Sequence, residues 1–535
     1  MREDIRTADK RNSETRALYD RLEDRILARD QVGASQAYYG LVKDGRPLPE
    51  IVNEAVRIHA PLTHVPYHER IDRGFVNFVN NDHCLLSARA TTHLSRLLPG
   101  QLAGLPMAQT VWYIPTGLDI WNQKINKAPG HYARSGKPIE GPPVKPVVHW
   151  PDQKPEHVPG SIEEKLDHWL DLVHRGHVLE AYRIFLGIME EPAHRKEALS
   201  QLVFAGLIDL QDRVYLNRSY TTGHKSFRAR ATVELGNFVG WDNAHHVLYA
   251  GALDIGVGPR WYSTYEMACN CITHYIEKQK ISAIPYGGST AKEAEILANT
   301  LPLSREEALA FLDVVLKANE PEPQEALSRL LIAGKGPRQI LDVLQIGAAQ
   351  VLLETQDMLN FSIPQHCYEY LNTLGWFYDN FDHPQRLKLL YVATSYLNRN
   401  AWHSRQTDDC REANAQRPAG SDTMAAPQLL DRIVSSIAAL DGPQALGWTR
   451  AFLDSGADRG PLIEQLALVA SRIGNDPHNQ ELGQILLEDY AKNRGFDRDR
   501  LLLACVQHTA VHRKYGDFLE ASRRYGSAMG LAQLQ

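Results

Sequence analysis

The sequence lacks the features that mark secreted, membrane-spanning or nucleic-acid-binding proteins. Its six cysteines among 535 residues are too few for a disulfide framework. It contains no run of about 18 apolar residues, so we expect no transmembrane helix. Lysine and arginine form no dense block and the formal net charge is −6, so a nucleic-acid partner is not expected. Residues 1–30 alternate acidic and basic side chains and lack the apolar stretch of a signal peptide, which predicts a cytoplasmic location.

Signals for β-structure and for several common enzyme classes are also scarce. Alternating apolar and polar runs of β-branched residues are nearly absent, which argues against a sandwich or a barrel. No glycine-rich phosphate loop lies between a strand pattern and a helix pattern. The GxSxG sequence of serine hydrolases with an α/β fold does not occur.

Helical periodicity, in contrast, runs through most of the chain. In residues 325–354, apolar side chains recur three and four positions apart on both sides of a Gly-Lys-Gly-Pro break. Similar patterns of two helices joined by a turn occupy residues 197–214 and 444–474. We predict an all-α fold of quasi-repeated helix pairs, arranged either as an array like those of HEAT and TPR proteins or as a closed helical bundle.

Changes in composition divide the chain into three parts. Residues 1–40 are predicted to form an N-terminal helix, followed by two related helical halves at residues 41–285 and 286–535. Residues 127–160 contain eight prolines and predict a long loop in the first half. Residues 403–427 are polar and rich in small side chains, which predicts a flexible loop in the second half.

Four segments of the chain align without gaps, and each has a histidine at its second position. These histidines are His83, His224, His366 and His508, at separations of 141, 142 and 142 residues. In the first three segments, an apolar helix of about 15 residues follows the histidine. The pattern indicates a duplicated unit that places a histidine at the head of a core helix.

The repeated histidines have two interpretations. In the first, the position before each core helix favours a capping or packing residue, and duplication has kept the spacing. In the second, the units close around a common axis and the four imidazoles converge on a metal ion. Imidazole is a common neutral ligand for iron, zinc, copper and nickel, and a bundle can supply one ligand from each helix. The recurrence supports a metal site that includes His83, His224, His366 and His508.

The second unit carries further polar residues that suit a metal site. Lys225 directly follows His224, and Asp242 lies four residues before His246, so on a helix this carboxylate can orient the imidazole. His245 and His246 point about 100° apart on a helix, so we expect only one of them to face the interior. Both histidines are predicted as ligands, and Lys225 and Asp242 are predicted as catalytic residues that tune the site.

Other histidine and cysteine patterns carry weaker signals. His508 and His512 are four residues apart, a spacing that can chelate a metal on one helix face. Residues 59–68 contain three histidines in a segment broken by proline. The CxCxxH run at residues 269–274 lies in a helical pattern that turns Cys269 away from the other two side chains, so these cysteines are interpreted as buried packing residues.

Residues 223–254 resemble a segment of the all-helical proteins that are often fused to Rieske iron–sulfur domains. In those proteins Gly-His-Lys opens one helix and Gly-Trp-x-x-Ala opens the next, as at residues 223–225 and 240–244 here. More distantly, the architecture resembles the questin oxidase-like proteins, whose helices are headed by histidines throughout. The resemblance implies oxidation or ring cleavage of aromatic polyketides by histidine-bound iron.

The chain departs from those relatives at two points. It has no Rieske cysteine and histidine pair, so the resemblance implies a separate electron donor. In the fourth unit the resemblance leads us to expect a lysine three residues after the histidine, and this chain has Val511 there. This difference weakens the transfer of a ligand role to His508.

The function predicted from the sequence is an oxygenase-like, metal-dependent oxidoreductase. It would use non-haem iron and act on an apolar small molecule, with aromatic compounds as one class of substrate. Two alternatives remain open. One is a helical-repeat scaffold that binds a protein partner and uses its histidines as structural caps. The other is a metal-dependent hydrolase or lyase that uses the same histidines.

Overall fold

The structure is a computed structural model of the chain. It describes residues 2–60, 82–117, 153–210, 223–241, 251–252, 255–256, 262–279, 288–356, 362–406, 416–474, 477–512, 514 and 516–534.

The described residues form twenty-two α-helices and no β-strand, so the predicted all-α class is confirmed. The first eleven are α1 (Arg2–Leu27), α2 (Gln31–Lys43), α3 (Leu48–His59), α4 (Asp82–Leu94), α5 (Leu105–Gly117), α6 (Ile162–Arg175), α7 (Val178–Met189), α8 (Arg195–Ile208), α9 (Lys225–Val239), α10 (Ser263–Cys271) and α11 (Ala291–Leu297). The others are α12 (Arg305–Lys317), α13 (Glu322–Ile332), α14 (Pro337–Glu354), α15 (Ser362–Asn380), α16 (Arg386–Gln406), α17 (Ala426–Ala438), α18 (Gly442–Asp454), α19 (Gly460–Arg472), α20 (Pro477–Lys492), α21 (Asp499–Val511) and α22 (Glu520–Met529).

Several helices begin where the sequence supplies a capping side chain. At the start of α6, the backbone N–H of Glu164 donates to Oγ of Ser161, and the Glu164 carboxylate accepts from the Ser161 N–H. Ser304 and Glu307 form the same reciprocal pair at the start of α12. Such a pair satisfies two backbone donors that have no partner inside the helix, and so it fixes where the helix starts.

Four helices form the centre of the molecule. Helix α4 packs against α9, α9 against α15, α15 against α20, and α20 against α4, so their contacts close a ring. We call these four helices the inner bundle. Their N-terminal ends lie together, because the histidines near the start of each helix have neighbouring rings.

The inner helices are parallel and in register. Arg89 of α4 donates to Gln484 of α20 at 2.7 Å, and Arg230 of α9 donates to Asn372 of α15. Each of these four residues lies six positions after the clustered histidine of its own helix. The four helices therefore advance together along the axis of the bundle: residues that are at equal height at the N-terminal end are still at equal height almost two turns later.

A second layer of helices surrounds the inner bundle. Helix α5 packs on α4, α8 on α9, α14 and α16 on α15, and α21 on α20. The inner helices are consequently buried on most sides, and residues 225–233 of α9 are all buried. Helix α21 follows α20 after a connection of a few residues and packs along it, so the C-terminal end of α21 returns to the N-terminal end of α20.

Two of the predicted segments differ in detail from the structure, and a third is described only in part. Residues 1–40 contain two helices, α1 and the greater part of α2, rather than one. In the proline-rich segment, residues 153–160 are described and form no helix, whereas residues 127–152 lie outside the described part. The polar loop begins later than predicted, because α16 continues to Gln406.

None of the described helices combines the length and apolar character needed to cross a membrane.

Candidate metal centre

Four imidazole rings meet at the N-terminal end of the inner bundle, one from each helix. The ring centroids of His83 and His224 are 5.4 Å apart, those of His224 and His366 4.6 Å, those of His366 and His478 6.1 Å, and those of His478 and His83 4.3 Å. The four rings therefore surround a common centre. We call this set the histidine cluster.

A buried carboxylate adjoins the histidine cluster. Oε2 of Glu481 lies 3.0 Å from Nδ1 of His83, and the Glu481 side chain is only 2% exposed. Ligand atoms of His83, His478 and Glu481 all lie within 4.8 Å of one another. The other oxygen of Glu481, Oε1, has no hydrogen-bond donor within the part of the chain that the structure describes. A buried carboxylate oxygen of this kind is suited to bind a cation.

The environment keeps the imidazole of His224 in the form that binds metals. His224 is 1% exposed and His366 is 5% exposed. Burial lowers the pKa of His224 well below its usual range, and the nearby His366 and His83 lower it further. The ring of His224 is therefore neutral near pH 7 and has a nitrogen lone pair to offer.

The start of α9, and hence His224, is fixed by α8. Nζ of Lys225 donates to the carboxylate of Asp209, which directly follows α8, and both side chains are fully buried. At Gly206 of α8 a Cβ would lie 2.8 Å from the backbone of Ser226, so only glycine permits this close approach. The ion pair and the close contact together hold the N-terminal end of α9 in place.

The sequence also explains why α20 begins next to His478. Pro477 occupies the first position of α20, where its fixed φ fits the helix and its missing N–H costs no hydrogen bond. His478 therefore lies in the first turn, and helical side chains lean toward the N-terminal end. This direction carries the imidazole of His478 toward His83.

His508 does not occupy the place that the repeat predicts. It lies in the last turn of α21 and not at the head of a helix. It still reaches the same end of the bundle, because α21 returns along α20. Its ring stacks on His512 at 4.6 Å, and His512 lies 5.8 Å from His478. His508 is therefore at the edge of the cluster, and His478 supplies the fourth ring.

The remaining predicted ligands cannot be placed in the same way. His245, His246 and Asp242 lie outside the described residues. Of the three histidines in residues 59–68, only His59 is described; it is fully buried at the end of α3, which packs on α4 and α9. Lys225, predicted to act in the chemistry, is next to the cluster, with its ammonium group in the ion pair with Asp209.

A network of buried charges lies below the histidine cluster. Arg89 binds Glu234 at 3.1 Å, and Arg230 binds Glu488 at 2.6 Å and Glu234 at 3.2 Å. His93, which is partly exposed, lies 3.4 Å from Glu234. The arginine charges hold the pKa of Glu234 well below its usual range despite the burial, and Arg230 has the same effect on Glu488. Both glutamates are therefore ionised at neutral pH, and their ion pairs with the two arginines tie three of the inner helices together.

Two cavities have sizes that bear on function. A cavity of about 20 Å³ lies between the histidine cluster and the arginines, and residues from all four inner helices line it. A groove of about 650 Å³ runs between α6, α8 and the loop after α15. Phe204, Tyr265 and His383 line this groove, and none of the clustered histidines does. The small cavity is lined by one residue of the candidate site, Glu481, and the four clustered histidines line neither cavity.

Two residues of the site, His478 and Glu481, were missed by the sequence analysis. His478 follows His366 by 112 residues, whereas the repeat predicts a separation near 142. A signal was nevertheless present: His-x-x-Glu occurs near the start of α15, as His366 and Glu369, and again at the start of α20. A spacing of three residues places both side chains on one helix face.

The CxCxxH segment has the packing role expected from its helical pattern. Cys269 and Cys271 are buried, whereas His274 is exposed to solvent. Burial raises the pKa of the Cys271 thiol to about 12, so this cysteine is protonated at neutral pH and is a poor metal ligand. The segment does not form a metal site with these three residues.

The chain matches no protein-family model, no curated protein and no solved structure.

Proposed function

We propose that the protein is an oxygenase-like oxidoreductase that binds one non-haem iron ion in the histidine cluster. The observation that carries this proposal is the ring of four imidazoles, one from each inner helix, with the carboxylate of Glu481 beside it.

The dimensions of the cluster suit a single metal ion. A metal–nitrogen bond of about 2.1 Å places the metal about 3.2 Å from the centroid of an imidazole ring. Two neighbouring imidazoles on one metal then have centroids about 4.5 Å apart in a square arrangement and about 5.2 Å apart in a tetrahedral one. The observed separations run from 4.3 to 6.1 Å. The ligand atoms of His83, His478 and Glu481 already lie close together, and binding of His224 and His366 to the same ion would require their side chains to shift, by about an ångström at the pair His366 and His478.

The contact between His83 and Glu481 has the spacing of two ligands on one metal. Two donors on neighbouring positions of an octahedral ion, with bonds of about 2.1 Å, lie about 3.0 Å apart. Nδ1 of His83 and Oε2 of Glu481 are separated by 3.0 Å. When no metal is bound, a hydrogen bond joins these two atoms. A bound metal ion would take the place of the proton that the two atoms share. Metal binding should therefore release protons and strengthen as the pH rises.

The donor set favours iron over zinc. Two histidines and one carboxylate with open positions form the ligand set of non-haem Fe(II) oxygenases, and His83, His478 and Glu481 supply these donors. With His224 and His366 the set reaches five, which exceeds the four tetrahedral ligands of structural zinc sites. Bound iron would supply a site that activates O2. The residues of the chain hold the donors, bury them and exclude bulk water.

An apolar, aromatic small molecule is the proposed substrate class, following the resemblance of residues 223–254 to proteins that act on aromatic polyketides. The described residues also contain no exposed cysteine that could act as a nucleophile. The proposed iron chemistry then needs a separate electron donor or a substrate that itself supplies the electrons.

The deciding experiment measures metal content first and oxygen chemistry second. The full chain is purified, reconstituted with Fe(II) without oxygen, and analysed for metals. We expect one iron per chain, followed by O2 consumption that depends on an added polycyclic phenol. A protein that retains no transition metal would instead be the scaffold. Stoichiometric metal without any O2 consumption would favour the hydrolase or lyase.

A further inference from the structure

We propose that the groove between α6 and α8 binds a small organic cation that carries an aromatic ring and a neutral oxygen. We call it the acidic groove. Its volume of about 650 Å³ lies within the range of about 300–1,000 Å³ that is usual for binding sites of organic ligands. None of the clustered histidines lines it, so this binding site is separate from the proposed metal centre and does not depend on bound iron.

The wall formed by α6 carries a row of carboxylates beside an apolar row. Glu163, Asp167 and Asp171 follow one another at intervals of four residues, and all three line the groove. Leu166 and Leu170 also line it and are likewise four residues apart. Residues at this spacing lie above one another on one helix face. A ligand in the groove therefore contacts apolar side chains and has negative charge along its edge.

The charge of the acidic groove is strongly unbalanced. The three carboxylates of α6, together with Glu197 of α8 and Asp382 of the loop after α15, make five carboxylates in the lining. Lys196 is the only lysine or arginine among the described residues that line the groove. Like charges four residues apart destabilise a helix. A bound cation relieves this repulsion, whereas a bound anion would add to it.

Two of the five carboxylates are already bound by arginines of their neighbourhood. Asp171 forms an ion pair at 3.1 Å with an arginine one turn later in α6, and Asp382 forms one at 3.0 Å with the first arginine of α16. Asp167 and Glu197 form no ion pair within the part of the chain that the structure describes. These two exposed carboxylates are therefore the groups that can attract a cation to the groove.

The floor of the acidic groove is aromatic and well ordered by its own packing. The ring of Phe204 stacks on the ring of His383 at 4.0 Å and meets the ring of Tyr265 edge to face at 5.8 Å. The hydroxyl of Tyr265 donates a hydrogen bond to the side-chain amide oxygen of Gln385. Such a set of interlocked rings offers a flat ligand a preformed apolar surface.

His383 adds no positive charge to this floor. Burial, and next the charges of Lys388 and Arg386, lowers the pKa of His383 to about 3, so the ring is neutral near pH 7. Nδ1 of His383 accepts a hydrogen bond from the backbone N–H of Gln385. Nε2 therefore carries the proton and donates to Oε1 of Gln201 at 2.9 Å.

The side-chain amides of two glutamines supply the donors for a neutral oxygen. Gln201 is only 9% exposed, and both it and Gln385 line the groove. The amide oxygen of each already accepts a hydrogen bond, from His383 and Tyr265 respectively. Their amide nitrogens donate no hydrogen bond to any of the described residues. A carbonyl, ester or ether oxygen of the ligand can accept from these N–H groups.

The first test compares two ligands that differ only in charge, with the full chain and no added metal. Benzoylcholine has an aromatic ring, an ester oxygen and a quaternary ammonium group. In its uncharged isostere a tert-butyl group replaces the trimethylammonium group. We expect benzoylcholine to bind at least about tenfold more tightly than the isostere, and to bind more weakly as salt is added. Titration followed by ligand-detected nuclear magnetic resonance measures both affinities.

The second test removes the free carboxylates from the acidic groove. In the double variant Asp167→Asn/Glu197→Gln we expect the affinity for benzoylcholine to fall by about fivefold or more, because two exposed charges each contribute modestly. The affinity for the uncharged isostere should not change. Asp431→Asn/Glu464→Gln removes the same charge from exposed positions of α17 and α19 outside the groove, and is the matched control.

The third test establishes where the ligand binds. Leu170→Trp narrows the groove, whereas Leu97→Trp places the same ring at an exposed position outside it. We expect only Leu170→Trp to weaken benzoylcholine binding, by about tenfold or more, since the added ring takes the space of the ligand. Circular dichroism confirms that each variant is folded.

Three results would each overturn the assignment of the acidic groove. The first is no binding of benzoylcholine to the unmodified protein at concentrations up to about 1 mM, which corresponds to a negligible affinity. The second is equal affinity for benzoylcholine and its isostere. The third is unchanged affinity in the folded Asp167→Asn/Glu197→Gln protein, a measurement that remains decisive even if Leu170→Trp does not fold.

Discussion

Glu481 and His83 are 398 residues apart in the chain, yet their side chains meet at 3.0 Å inside the inner bundle. This contact joins α4 to α20 and closes the ring of four helices. It also brings a carboxylate, 2% exposed, to the edge of four imidazole rings.

Replacing Glu481 with glutamine should weaken metal binding without unfolding the protein. Glutamine keeps the shape of the side chain but removes the negative charge that a cation needs. We expect the affinity for Fe(II) to fall by at least about 10- to 100-fold, because that much is lost even when the carboxylate removed only orients a metal-binding histidine. Competition with a chromophoric chelator measures the affinity. Glu464→Gln, a change at an exposed position of α19, is the control and should have no effect.

Two alanine variants decide whether His478 or His508 is the fourth histidine that binds the metal. The ring of His478 lies 4.3 Å from that of His83, whereas the ring of His508 stacks on His512 at the edge of the cluster. We expect His478→Ala to lower the affinity for Fe(II) by about 100-fold and His508→Ala to lower it by about tenfold or less.

The exposed His274 provides the control for this pair, and His274→Ala should retain full iron content. A larger loss in His508→Ala than in His478→Ala would restore the assignment made from the repeat and would contradict the ring of four described above.

Lys225→Met tests whether this residue is structural or takes part in the reaction. The change removes the ammonium group that pairs with the buried carboxylate of Asp209, so we expect a loss of stability of about 3 kcal/mol. The double variant Lys225→Met/Asp209→Leu should recover most of this loss, because an apolar pair can replace a buried ion pair at little cost. Thermal unfolding measures both effects. If the double variant folds and binds iron but does not turn over, the pair of Lys225 and Asp209 acts in the reaction as well as in stability, in keeping with the catalytic role predicted for Lys225 from the sequence.

Asp489 should make the protein less stable as the pH rises. Burial, and next the charge of Glu488, raises the pKa of this carboxyl to about 7, while Tyr368 and Asn372 donate hydrogen bonds to it. In the unfolded chain an aspartate has a pKa of about 3.9. Between these values the folded state binds a proton that the unfolded state does not, so the free energy of unfolding falls from about pH 4 to pH 7.

Asp489→Asn removes this dependence. The amide keeps both hydrogen bonds, because a tyrosine hydroxyl can accept as well as donate. We expect the variant to be more stable than the unmodified protein at pH 8, by the order of 2–4 kcal/mol, and to show no such advantage at pH 4. Urea unfolding at the two pH values measures the difference. A gain of equal size at both would show that titration of Asp489 is not its cause.

Three of the four clustered histidines could be predicted from the sequence. His83, His224 and His366 each stand near the start of a strongly periodic apolar helix, and the duplicated unit repeats that local arrangement. Helical periodicity depends on side chains three and four residues apart, so it is readable without knowledge of the fold. The all-α class follows from the same short-range pattern.

The fourth histidine of the cluster, His478, could not be predicted in this way. The repeat points to His508, but the stretch between α15 and α20 is shorter than the preceding units, and equal spacing then no longer marks equivalent positions. The chain compensates by folding α21 back along α20, which brings His508 and His512 to the same end of the bundle as His478.

The sequence by itself determined the helices, their apolar faces and three of the histidines, because these depend on neighbours within a turn or two along the chain. Only the tertiary structure decided that α4 and α20 lie side by side and that Glu481 reaches His83. That pairing depends on how four helices bury their faces against one another. The two residues are 398 positions apart, and the local sequence around each of them does not indicate the other.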